Sequence, residues 1–131
     1  MRKFLILSIF VLICGALSAQ TYNFKATELA IRYHNGYAWE EWSDWQPVSI
    51  QVKMDLDASL IIIYSNRTQI YRITEYDGSY TDSSQGNQMR FTIVDQDYDR
   101  GHLRLRVEKN GNSQIYVDFS DVMWVYNVIR I

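Results

Sequence analysis

Two groups of side chains in this sequence have types and spacings that could do chemistry. Asp95, Asp97 and Asp99 stand at alternate positions, and a hard cation such as Ca²⁺ is held by several carboxylate oxygens converging from one turn. The loop departs from that pattern where coordination depends on it. Arg100 occupies the place of the turn glycine, Gly101 comes one residue late, and Arg106 stands where a bidentate glutamate closes the shell. The expectation is a solvated acidic hairpin loop, with the three aspartates as the candidate metal set. Trp39, Trp42 and Trp45, with Tyr33, His34 and Tyr37 nearby, form the densest aromatic cluster. Flat rings stack on sugar faces and other apolar ligands, so Tyr33, Tyr37, Trp39, Trp42 and Trp45 are the candidate set for a small apolar or glycan ligand. A spacing of three does not keep the indoles on one face of a strand, and packing is the competing role for them.

Catalytic arrangements are missing. The histidines are His34 and His102, the single cysteine is Cys14, and there is no serine-centred elbow, metal-spaced histidine pair or phosphate-cradling glycine loop. Glu40 and Glu41 are adjacent, so on an extended chain they point to opposite sides. The expectation is a protein that is not an enzyme, with no catalytic residues and no cofactor. Asn66-Arg67-Thr68 matches a glycosylation acceptor, read as a chance match.

The elements that must position these residues begin with a leader. Arg2 and Lys3, an apolar run from Phe4 to Leu12, and small residues ending at Ala19 read as a secretory signal peptide, with Gln20 the first mature residue. The run is too short for a membrane-spanning helix of ~20 residues. A lipid anchor at Cys14 is the alternative, but Ile13 precedes it where a small residue is required. Residues 20–131 then form one β-domain without cysteine, expected in a bacterial periplasm or outside the cell rather than among eukaryotic secreted proteins, and stabilised by its core alone. Eleven basic side chains face 15 acidic ones after residue 19, a net charge of −4. That disfavours nucleic acid as a partner. No transmembrane segment follows the leader.

Period-two alternation runs through the domain. Leu29, Ile31 and Tyr33 alternate with polar residues up to the turn Asn35-Gly36. Val48 to Leu56 form the longest clean alternation. Leu60 to Tyr64 are apolar throughout and predict a strand covered on both faces. Gln69 to Tyr76 make the next strand, Asp77-Gly78 a turn, and Ser79 to Asn87 a polar loop before Met89, Phe91 and Ile93. Leu103, Leu105 and Val107 then mirror Ile115, Val117 and Phe119 across Asn110-Gly111-Asn112, a hairpin that places Arg104 opposite Asp118. Val122, Trp124 and Tyr126 continue the inner face after a tight turn at Ser120-Asp121. Met123, Val125, Ile129 and Ile131 form an outer stripe that something must cover. The pattern predicts an all-β antiparallel meander of about eight strands, closed into a small lipocalin-like barrel, with a two-sheet β-sandwich as the alternative.

The segment from Gln114 to Val128, together with Ile63 to Tyr71, Trp42-Ser43-Asp44-Trp45 and Asp95-Gln96-Asp97, resembles small secreted β-rich proteins of Gram-negative gut-associated bacteria. The likeness covers most of the mature chain. It implies a signal peptide and a compact β-domain, and supplies no activity or site residues. The functional expectation is a binding module for a small apolar or glycan ligand; the alternative is a structural component or an interaction partner of an envelope protein.

Overall fold

The computed structural model describes residues 21–81, 86–108 and 112–131. The leader, Cys14, Gln20 and the Asn110-Gly111 tip lie outside the described residues. Eight antiparallel strands follow one another: β1 (Thr21–Tyr33), β2 (Gln46–Asp55), β3 (Leu60–Ile63), β4 (Gln69–Thr81), β5 (Asn87–Val94), β6 (Arg100–Val107), β7 (Ser113–Asp118) and β8 (Val122–Arg130). Each pairs with its successor, and β8 returns to β1, so the sheet is a closed barrel. The barrel of the two expected architectures is therefore the one adopted. Among the described residues no helix is long and apolar enough to cross a membrane.

Alternation places the core. Val52 and Met54, Ile61 and Ile63, Phe91 and Ile93, Leu103 and Leu105, Ile115 and Val117, and Tyr126 and Val128 all point inward and are buried in one cluster. In β1 the alternation changes phase. Phe24 and Ala26 are buried, the register shifts between Ala26 and Glu28, and from there Leu29, Ile31 and Tyr33 face the partners Tyr126, Trp124 and Val122. The extra residue of this bulge moves the inward set from even to odd positions. That is why the alternation in the sequence starts at Leu29, while the observed strand begins at Thr21.

Three other expectations are corrected. Asp77-Gly78 is not a turn: β4 continues to Thr81 through two register shifts, the second between Tyr76 and Gly78, with Gly78 at φ +109°. A glycine at positive φ serves a bulge as readily as a turn. The strand Leu60–Ile63 is covered on one face only, since Ile61 and Ile63 are buried while Leu60 and Ile62 are part-exposed. The β6–β7 hairpin is offset by two residues from the expected register, pairing Leu103 with Val117 and Leu105 with Ile115 and closing with Glu108 N–H on the Asn112 carbonyl at 2.8 Å. Arg104 thus sits opposite Tyr116, its guanidinium 4.2 Å from the ring centroid, and reaches Asp118 diagonally at 2.8 Å.

The β7–β8 turn is as expected, with Ile115 opposite Tyr126, Val117 opposite Trp124, and Phe119 N–H on the Val122 carbonyl. Of the outer stripe, Val125 is covered by the chain itself and not by the mature N-terminus, while Ile129 and Ile131 stay exposed. The segment 34–45 doubles back along β1, with Glu40 N–H on the Tyr33 carbonyl and Ser43 N–H on the Ile31 carbonyl. This brings Trp39 and Trp42 to either side of the Arg32 guanidinium, 5.2 and 4.7 Å from their ring centroids, and sets Trp42 edge-on to Tyr116. Ala30 and Val125, neighbours on the outer face between Arg32 and Tyr116, are 2% and 3% exposed as a result.

Candidate functional site

Recesses with largely apolar walls open at the two ends of the barrel. At one end Tyr22, Leu56, Ile73, Tyr76, Met89 and Phe91 border an open recess of about 530 Å³. At the other, four chain segments converge: the end of β1, the β3–β4 connection, the β5–β6 turn and the β7–β8 turn. Between them lies a cleft of about 420 Å³ lined by Leu29, Ile31, Tyr33, Ile50, Ser65, Arg67, Gln69, Tyr71, Val122, Trp124 and Tyr126. A recess lined by Asp95, Asp99, Arg100, Phe119 and Asp121 adjoins it and shares Tyr71, Val122 and Trp124.

Each wall has a local cause. The bulge in β1 turns Leu29, Ile31 and Tyr33 inward at this end. In the β3–β4 connection the Ser65 hydroxyl donates to the Arg67 carbonyl at 2.7 Å, a side-chain-to-backbone bond of the kind that shapes short turns. Phe119 stacks on Trp124, ring centroids 5.9 Å apart, and fixes the indole plane.

The floor of the cleft is polar although the walls are not. Tyr71 O–H donates to Gln69 Oε1 at 2.5 Å, and Gln69 Nε2 donates to Ser65 Oγ at 3.0 Å and to Tyr126 Oη at 3.3 Å. Both tyrosines are buried, 4% and 2% exposed. Burial raises the Tyr71 phenol above its ordinary value, helped by the neighbouring Tyr126 and the Asp95 carboxylate. Burial likewise raises Tyr126, opposed in part by the Gln69 amide and the Trp124 indole, which favour the phenolate. Gln69 hydrogen-bonds Tyr126, whereas Trp124 Nε1, also buried, faces Tyr126 from beyond hydrogen-bond distance. Both phenols are therefore hydrogen-bond donors at neutral pH.

The residues singled out from sequence are dispersed. Tyr33 borders the mouth, while Trp39 and Trp42 grip Arg32 on the outer wall. Tyr37 is 95% exposed beyond the Asn35-Gly36 turn, and Trp45 stands part-exposed before β2. Asp95 Oδ1 accepts the backbone N–H of Asp97 and of Asp99, both at 2.8 Å, so it shapes the turn that carries Tyr98 at φ +66°. Among the described residues no three acidic or histidine side chains converge as a metal site. His34 Nδ1 accepts from Gly36 N–H, and His102 faces Asp77 at 3.9 Å on the outer wall. Sequence reasoning did not single out Ser65, Arg67, Gln69 and Tyr71 as a group. The available signal was Gln69-x-Tyr71, polar tips at inward positions of a strand.

Comparison with protein-family models, with curated proteins and with solved structures gives no match for this chain.

Proposed function

We infer that this chain is an exported, non-catalytic binding domain that seats a small apolar molecule, or the apolar face of a sugar, in the barrel mouth formed by Ile31, Ile50, Trp124 and Tyr126. One observation carries the reading: an apolar, open cleft ends on the buried network Gln69–Tyr71–Tyr126. Burying hydroxyls and an amide costs desolvation that an aliphatic floor would avoid. A few polar groups at the base of an apolar recess are what orients a bound ligand.

The test uses N-phenyl-1-naphthylamine, a neutral apolar fluorophore. Saturable one-to-one binding is expected, lost when Ser65→Trp fills the mouth and retained when Met89→Trp fills the opposite end. Loss on Met89→Trp with retention on Ser65→Trp would move the site to the other end and overturn the assignment. Export is tested by N-terminal sequencing of the secreted product, with Gln20 expected first. The part-exposed outer residues Leu60, Ile62, Tyr64 and Ile70 favour a second reading, an envelope interaction component. An oligomer in light scattering that Ile70→Lys dissociates would support it.

A further inference from the structure

We propose that the ligand of the mouth carries a single carboxylate on an apolar body, with the Arg67 guanidinium as the group that selects it; this rests on the mouth being the binding site. Among the described residues, Arg67 is the one charged residue bordering the apolar cleft. Among the described residues its guanidinium has no ion pair or hydrogen-bond acceptor. The Arg67 backbone is held at the rim because its carbonyl accepts from Ser65, whose hydroxyl in turn accepts from Gln69 on the cleft floor.

The neutral polar groups point to the same chemistry. Tyr126 Oη accepts from Gln69, and its own proton meets no acceptor among the described residues. Trp124 Nε1–H is buried, with no acceptor within hydrogen-bond distance, although it faces Tyr126 closely enough to favour the phenolate. Gln69 Oε1, by contrast, already accepts from Tyr71. The unmet capacity at the base of the cleft is that of donors, and a donor-rich apolar recess beside a free guanidinium complements an anionic acceptor. Arginine suits this better than lysine because its planar fork meets both oxygens of a carboxylate.

The charge limit comes from the neighbouring recess. Asp95, Asp99 and Asp121 stand with Arg100 in the recess that shares Tyr71 and Trp124 with the cleft, and Asp95 and Asp97 border a further recess beside Arg67. A second anionic group extending that way would meet three carboxylates against one cation, so one carboxylate is accommodated and a dianion is disfavoured.

Isothermal titration calorimetry of the purified protein with octanoate, octan-1-ol and octylamine tests the proposal. Octanoate is expected to bind at least tenfold more tightly than octan-1-ol. Arg67→Gln, on an exposed turn where circular dichroism can confirm an unchanged fold, is expected to remove that preference by weakening octanoate binding at least tenfold. Equal affinity for octanoate and octan-1-ol, a preference for octylamine, or an octanoate affinity unaffected by Arg67→Gln would overturn the carboxylate and leave the mouth as a binding site. Failure of N-phenyl-1-naphthylamine and all three amphiphiles to bind would overturn both.

Discussion

Val125 tests whether segment 34–45 is part of the folded core or an ornament on it. By strand parity Val125 belongs to the outer wall, yet it is 3% exposed between Ala30 and Tyr116, under the layer formed by Arg32, Trp42 and Tyr116. Val125→Lys removes a fully buried valine, worth about 1.5–3 kcal/mol. It also places an ammonium near two existing cations, Arg32 and Arg104, the latter already paired with Asp118. An uncompensated buried charge typically costs about 3–5 kcal/mol. Partial escape of the lysine to water by displacing the tryptophan layer brings the expected total to about 3–5 kcal/mol. Trp42→Ala alone forfeits one cation–π contact of about 0.5–1 kcal/mol and one edge-on aromatic contact of about 0.5–1.5 kcal/mol. Once Trp42 is gone, the introduced lysine can reach solvent along its own stem. The double variant should therefore be less destabilised than the sum of the singles by about 1–2 kcal/mol. Urea unfolding with linear extrapolation measures all three. A Val125→Lys variant within about 0.5 kcal/mol of wild type, the range of ordinary surface changes, would refute the covered face. An additive double variant would refute Trp42 as its cover.

Two further outcomes follow from the packing. A Cβ on Gly101 would lie 2.6 Å from the Asp118 carbonyl oxygen and 2.8 Å from the Phe119 ring; the backbone contact cannot retreat without disturbing β6–β7, so Gly101→Ala should cost about 1–3 kcal/mol and lower the melting temperature by at least about 4 °C, and an unchanged melt would contradict the register. Burial raises the pKa of Tyr71 and Tyr126 in the folded state, so above the ordinary phenol value of about 10 the unfolded chain loses protons that the folded chain keeps, and the stability these groups provide is intact below about pH 10 and lost as pH rises through the folded values. Urea midpoints at pH 9 and pH 11 should show this decline, smaller in a Tyr71→Phe, Tyr126→Phe double variant; equal slopes would count against it.

Strand faces were legible because side-chain direction in a strand is local: alternate residues take opposite sides whatever they later pair with. That sufficed for the eight strands, for most of the inward core, and for the turn that brings Trp124 opposite Val117. Closure could be argued too, since a meander this short removes its exposed edges by joining its ends.

The tertiary structure decided what alternation leaves degenerate. Sliding one strand by two residues keeps every side chain on its side, so the pattern of β6 and β7 could not choose between registers. The one adopted sets Gly101 against Phe119, giving the ring room to stack on Trp124, and brings Arg104 onto both Tyr116 and Asp118. The bulge at Thr27 was hidden for a related reason, since a phase change looks like the start of a strand. The mouth depends on Ser65, Arg67, Gln69, Tyr71, Trp124 and Tyr126, two segments more than fifty residues apart that meet only once the barrel has closed. The aromatic cluster that looked like a binding face is divided because segment 34–45 spends Trp39 and Trp42 on Arg32, a contact fixed by where the chain folds back and by nothing in the spacing of the tryptophans.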